Sequence, residues 1–156
     1  MTEDALKHAL VPSSGIGDLW RSDLSYSVGS WLVCDASPGG IGYEKSSGYE
    51  DLITLDVGHA MYQDATDPNN SCYIRIPFTV GANDMEGLNS LYLNIRYDDG
   101  FAAYLNGTRV AGANDPQDMQ WNSASTGTHE ATTKEMFNLS EHIDLLKAGD
   151  NLLAIH

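Results

Sequence analysis

Apolar and polar residues alternate in short runs along this chain, and clusters of turn-forming residues separate the runs. From Cys72 to Val80, Ile74, Ile76, Phe78 and Val80 alternate with Tyr73, Arg75, Pro77 and Thr79, the period of two expected of a strand with one face in a core. Comparable runs predict strands over Ser30 to Cys34, Leu91 to Tyr97, Phe101 to Asn106, Thr108 to Ala111, Thr132 to Asn138 and Asn151 to Ile155. Pro77 cannot donate to a ladder, so its strand is expected at an edge or with a bulge there. Ser140 to Leu146 has the composition of one short helical turn, with Ile143 and Leu146 placed to plug one end of a sandwich. The pattern is all-β.

Tyr97-Asp98-Asp99-Gly100 and Leu105-Asn106-Gly107 enclose one short strand between two tight turns. Asn and Gly accept positive φ, which two-residue hairpin turns require. If consecutive strands run antiparallel, these turns assign every loop to one end of the sandwich. The Asp98-Asp99-Gly100 turn, the Gly112 to Glu130 loop and the long Asp35 to Ser71 segment fall together, and Ser140 to Asp150 falls at the opposite end. Strand counting therefore gathers Tyr97, Asp98, Asp99, Asn114, Asp115, Trp121 and Asn122, with Tyr43, Glu44, Tyr49, Glu50, Asp56, His59 and Tyr62 placed nearby. Loops as long as Asp35 to Ser71 are uncommon in compact domains and are often functional.

The chain has 156 residues, enough for one domain that buries about two thirds of its unfolded surface. Its 22 acidic and 8 basic residues leave a net charge of −14, which repels phosphate backbones and anionic bilayers. Nucleic acid and membranes are therefore not expected as partners, and no run approaches the roughly 20 apolar residues that cross a bilayer. Such an acidic balance suits a secreted module or one that binds cations; a solvated acidic surface is the alternative. Met1 to His8 lack the basic start and apolar centre of a secretion signal, and residues 1–16 are expected to be an N-terminal extension, with residues 17–156 forming the sandwich. The last run, Asn151 to His156, stops without a following turn, as in a module excised from a longer polypeptide. Cys34 and Cys72 allow either a disulfide, worth about 4 kcal/mol in an oxidising compartment, or two thiols acting as small hydrophobes.

The gathered loops have the composition that sugar recognition requires. A pyranose presents an apolar CH face to an aromatic ring and a rim of hydroxyls to carboxylates and amides. Trp121 or Tyr49 is the candidate stacking platform, and Asp98, Asp99, Asn114 and Asn122 are the candidate hydrogen-bonding groups. For Trp121 the alternative is a plug that closes the sandwich end; Trp20 and Trp31 are expected in the core. Asp98, Asp99 and Asp115 are candidate ligands for calcium, a hard cation that takes several oxygens, or else the Asp pair simply caps its hairpin through side-chain hydrogen bonds. No catalytic residue is assigned. The five histidines are scattered, with neither HExxH nor a GxSxG elbow, and two adjacent Asp on one turn do not make the separated carboxylate pair of a glycosidase.

Tyr97-Asp98-Asp99-Gly100 through Tyr104-Leu105-Asn106-Gly107, Trp121-Asn122, Phe137-Asn138-Leu139 and the run from Leu146-Lys147-Ala148-Gly149 to His156 resemble galactose-binding-like β-sandwich modules. Gly39-Gly40-Ile41-Gly42-Tyr43-Glu44 is similar to a glycine-rich segment of the same modules. The resemblance implies an antiparallel jelly-roll β-sandwich and a carbohydrate-binding module of a multimodular secreted or cell-surface bacterial protein, with a structural calcium. The function expected from it is non-catalytic: the module holds an attached catalytic domain near a polysaccharide or oligosaccharide. The rival is a structural or protein-interaction module that binds no sugar.

Overall fold

The computed structural model describes residues 1–44, 48–63 and 69–156. Residues 45–47 and 64–68, within the long segment expected to be a functional loop, lie outside the described residues. Ten strands are found among the described residues: β1 (Lys7–Leu10), β2 (Leu32–Cys34), β3 (Gly40–Gly42), β4 (Ile53–Asp56), β5 (Tyr73–Val80), β6 (Tyr92–Ile95), β7 (Phe101–Leu105), β8 (Thr108–Ala113), β9 (Glu135–Asn138) and β10 (Gly149–Ile155). Six form one antiparallel sheet in the order β2-β1-β5-β10-β7-β8. β6 pairs antiparallel with β9, while β3 and β4 pair parallel, an exception to the all-antiparallel expectation. The fold is an all-β sandwich, and no helix of the described residues is long and apolar enough to cross a membrane.

Alternation in the central strands feeds two cores, one on each face of the large sheet. Ala102, Tyr104, Leu152 and Ala154 point to one side, where Tyr73, Trp20 and Trp31 complete the cluster. Phe101, Ala103, Ile76 and Leu153 point to the other, where Tyr97, Leu139 and the partly buried Leu93, Ile95 and Phe137 bring in the β6–β9 layer. On the first face the cover is irregular chain rather than a second sheet, and aromatic rings fill it: Trp20 lies parallel to Tyr73 at 4.3 Å between ring centroids. Trp20 and Trp31 are thus core residues, as the sequence suggested.

Two sequence expectations are corrected. Residues 1–16 are not an extension, because Lys7–Leu10 is inserted between β2 and β5 and Glu3 pairs with both Arg96 and Lys134 of the β6–β9 layer. The signal was weak because the strand is only four residues long and holds a Lys and a His. Pro77 occupies neither an outermost strand nor a bulge. β1 reaches only Tyr73 to Arg75, however, so at Pro77 the strand has a neighbour on one side alone, opposite Leu152. Of the two readings for the cysteines, the thiol one holds: Cys34 and Cys72 are both free, burial pushes the Cys72 thiol up to about 12, and Cys34 is buried against the Gly39 carbonyl.

The Asn106-Gly107 turn has φ of 50° and 92° at its two central residues, the conformation that this dipeptide favours. Asn106 also locks the end of the sandwich opposite the long loops. Its Nδ2 donates to Leu145 O at 2.8 Å and to Asn151 Oδ1 at 2.9 Å, and its Oδ1 accepts from Leu152 N at 2.9 Å. Asn151 is fully buried and satisfied, donating to the carbonyls of Lys147 and Gly149 and accepting from Lys147 N. Replacing it by Leu strands several buried backbone groups, each costing about 1–3 kcal/mol. We expect Asn151→Leu to lose about 3 kcal/mol or more in urea denaturation, with a surface substitution such as Glu86→Gln near neutral.

Candidate functional site at the loop end

The loops converge as strand counting required. β7 leaves the Asp98-Asp99-Gly100 turn, β8 returns to Asn114, and β10 ends at His156, whose backbone bonds Ala102 in both directions. β5 enters from Ser71, whose hydroxyl donates to Ser123 O at 2.9 Å and lies 2.9 Å from His156 Nε2. The loops before β5, before β7 and after β8 therefore share one end.

Most of the amides and one of the paired carboxylates hold the loops to one another. Asn114, in the left-handed region at φ 53°, donates from Nδ2 to Asp99 O at 2.8 Å, while its own carbonyl accepts from Thr126 N at 2.6 Å. The Asp99 carboxylate accepts from His129 N at 2.9 Å. Asn122 accepts from Asn70 N at 2.7 Å, joining two loops. Asp115 faces Arg109 at 2.7 Å, across the strand end. Tyr49 donates its hydroxyl to Asp98, and its ring is only 6% exposed. It therefore supports Asp98 and has no free face to offer as a platform. Burial, together with the Asp98 and Glu44 carboxylates, holds its hydroxyl far above the ordinary tyrosine value.

What remains open to solvent is a narrower group. Carboxylate oxygens of Glu44, Asp98 and Glu130 all lie within 4.8 Å of one another. Of the three residues expected to ligate calcium, only Asp98 joins this triplet. Beside it, Tyr43 and Tyr62 meet edge to face at 5.2 Å with their hydroxyls 2.8 Å apart. Tyr62 is 48% exposed. Burial, the Tyr62 hydroxyl and the nearby Asp98 and Asp99 charges hold the Tyr43 hydroxyl far above its ordinary value. α1 (Gly58–Met61) delivers Tyr62, and Asp56 starts that single turn by accepting from Gly58 N at 2.7 Å. A space of about 1440 Å³ runs inward from this end between the layers, lined by Tyr43, Asp98 and Asn114 at its mouth and by Ile74, Phe78 and Leu93 inside. That space is why Ile74, Phe78 and Val80, expected in the core, are only half-buried.

Trp121 stands apart from this group. It packs on the Trp20 side of the large sheet and lines a separate, smaller cavity that none of Asp98, Asp99, Asn114 or Tyr49 touches. One strand's alternation explains the split: the loops share an end, but the two cores lie on opposite faces.

Comparison with known proteins follows from this geometry. No protein-family model and no curated protein matches the chain. Among solved structures, the β-glucuronidase of Bacteroides uniformis aligns with 99% of the chain at 12% identity and a TM-score of 0.55. A glycosyl hydrolase family 2 member from Bacteroides cellulosilyticus DSM 14838 aligns with 99% at 13% identity and 0.54. A calcium-binding mutant of Bacteroides uniformis β-glucuronidase 2 aligns with 99% at 14% identity and 0.54. The chain shares its all-β sandwich fold with part of each of these three chains. It spans only 14%, 17% and 14% of the lengths of those three chains.

His129 and Glu135, which sequence reading did not single out, pin the loop end to the second layer. His129 stacks on Tyr97 at 4.0 Å, with Nδ1 2.9 Å from Tyr97 O and Nε2 2.8 Å from Glu135 Oε1. Tyr97 also donates its hydroxyl to Glu135 at 3.0 Å. Both ring nitrogens face acceptors, so only the imidazolium can donate to both. The Tyr97 carbonyl, then the Glu135 carboxylate, raise His129 above its ordinary 6.5; His129, then Tyr97, lower Glu135 below 4.5. A raised histidine stabilises fully below its unfolded pKa and is lost as pH rises through its folded one. A lowered carboxylate stabilises above its unfolded pKa and is lost as pH falls through its folded one. The gap in urea midpoint between the native protein and His129→Gln should therefore be widest between about pH 4.5 and 6.5 and narrow on both sides. A gap independent of pH would show that the ring only packs.

Proposed function

We propose that this chain is a non-catalytic carbohydrate-binding module of a secreted or cell-surface protein, which uses its loop end to hold an attached catalytic domain near a polysaccharide. The observation that carries the reading is the exposed Tyr62 ring, set with Tyr43 beside the Glu44, Asp98 and Glu130 carboxylates. Rings supply a face for a pyranose, and carboxylates accept from its hydroxyls. The fold shared with glycoside hydrolases supports the same reading at the level of architecture. Tethering makes modest affinity sufficient, because the second binding event becomes intramolecular.

A catalytic role has less support. Two adjacent Asp on one turn, Asp98 and Asp99, do not make the separated carboxylate pair that glycoside cleavage uses. Crowded, exposed carboxylates suit a hard cation better. Glu44, Asp98 and Glu130 would hold calcium, with water and neighbouring oxygens completing its six to eight ligands. The ion would supply fixed positive charge, cancelling the repulsion among three carboxylates and stiffening the rim on which Tyr43 sits.

Affinity electrophoresis through gels containing soluble polysaccharides tests the reading. Retardation by at least one neutral polysaccharide is expected, with Tyr62→Ala weakening it about tenfold and leaving the melting midpoint unchanged. Silence across all polysaccharides from a folded protein would favour the structural or protein-interaction reading instead. For the cation, saturating calcium should raise the melting midpoint by roughly 5–10 °C over chelator, and Glu130→Gln should abolish the rise. An unchanged midpoint would remove calcium from the proposal.

A further inference from the structure

The cavity beside Trp121 is separate from the loop-end group and has its own chemistry. It measures about 180 Å³ and lies between the Gly15 to Asp18 segment, Arg21 and the Met119 to Trp121 segment, with Tyr73 and His156 among its lining residues. A space of that size suits one sugar ring rather than a linked pair. We propose that this cavity is a second binding site, which accommodates a single neutral pyranose unit on the Trp121 ring. The proposal rests on the carbohydrate-binding reading above but not on its loop-end residues.

Apolar and polar walls are arranged for such a ligand. Trp121 is only partly buried, while Trp20 and Tyr73 behind it are 2% and 4% exposed and stacked on each other, a wall that cannot fold away. Gly15 lies against the indole, where a Cβ would make ordinary contact with Trp121 Cδ1 at 3.7 Å. At the rim, Arg21 Nη2 lies 2.9 Å from Asp18 Oδ1, placing N–H donors next to carboxylate acceptors. Neighbouring hydroxyls of a sugar, each both donor and acceptor, match that pairing. The Arg21 guanidinium is held 4.5 Å above the Tyr104 ring, so its donors are positioned before a ligand arrives and little ordering entropy remains to be lost.

Charge selects a neutral sugar over an acidic one. Asp18 already balances Arg21, and the whole chain carries −14. His156 adds no positive charge near neutral pH, because burial and the nearby Arg21 lower it to about 4. An anionic ligand would therefore meet no uncompensated cation among these groups.

The test is a ¹⁵N-resolved NMR titration of the whole chain with methyl glycosides of glucose, galactose, mannose and glucuronic acid. Saturable shifts at Gly15, Asp18 and the Trp121 indole N–H are expected with at least one neutral glycoside. Asp18→Asn, at a position 78% exposed and without a capping bond, should keep the native spectrum and weaken binding about tenfold. Trp121→Ala should weaken it at least as much. Shifts confined to Tyr43, Tyr62 and Asp98 would overturn the second site while leaving the loop-end reading intact. Binding of the glucuronide alone would overturn the neutral assignment. No shift with any glycoside would overturn the cavity as a site, and polysaccharide retardation would still judge the loop end separately.

Discussion

The position of β10 in the middle of the large sheet is the constraint on which the rest depends. Its seven residues all pair with β5, from Gly149 opposite Val80 to Ile155 opposite Ile74, and its last three also pair with β7. Leu152 and Ala154 enter one core and Leu153 the other. A slip of one residue would exchange the two faces, so register is tightly specified. The buried Asn151, bonded to Asn106, sets that register from one end, and it costs little only because its hydrogen bonds are satisfied. Once β10 is fixed, the opposite ends of β5, β7 and β8 are fixed, and the loops of that end follow.

How much of this was legible in the sequence depends on which physical signal each element carried. Strands with clear alternation or explicit turns, β5 through β10, were found because burial on one side imposes period two and Asn-Gly imposes a hairpin. β1, β3 and β4 were missed. β1 carries Lys7 and His8, and β3 is Gly-Ile-Gly, so neither shows alternation. β4 makes its pairing partner parallel across a long connection, which local pattern does not encode. Strand parity placed Asp98, Asp99 and Asn114 correctly at one end, since it needs only the count of strands. It could not say on which face of the sheet Trp121 lies, because that depends on how a long irregular loop crosses the edge.

The same distinction separates supporting residues from contacting ones. Asn114, Asn122, Asp99 and Tyr49 have the right composition for a ligand site, yet their polar groups are engaged with neighbouring loops. Tyr43 and Tyr62, which meet edge to face, and Glu44 and Glu130, whose carboxylates cluster with that of Asp98, carry less distinctive sequence signals. Glu130 and His129 close the loop that contains Asn114, so counting to the end of that loop was the signal available for them. An end built this way is preorganised by its own loop contacts, which lowers the ordering cost of binding any ligand there.

We propose that the loop end, held by β5, β7, β8 and β10, is the surface that meets glycan. Hydrogen–deuterium exchange with and without the polysaccharide that retards the protein most tests it directly. Protection in peptides carrying Tyr43, Tyr62 and Asp98, with the Asn106 and Asn151 end unchanged, is the result that a loop-end site requires. Protection confined to the opposite end or to the exposed β2 edge would contradict it.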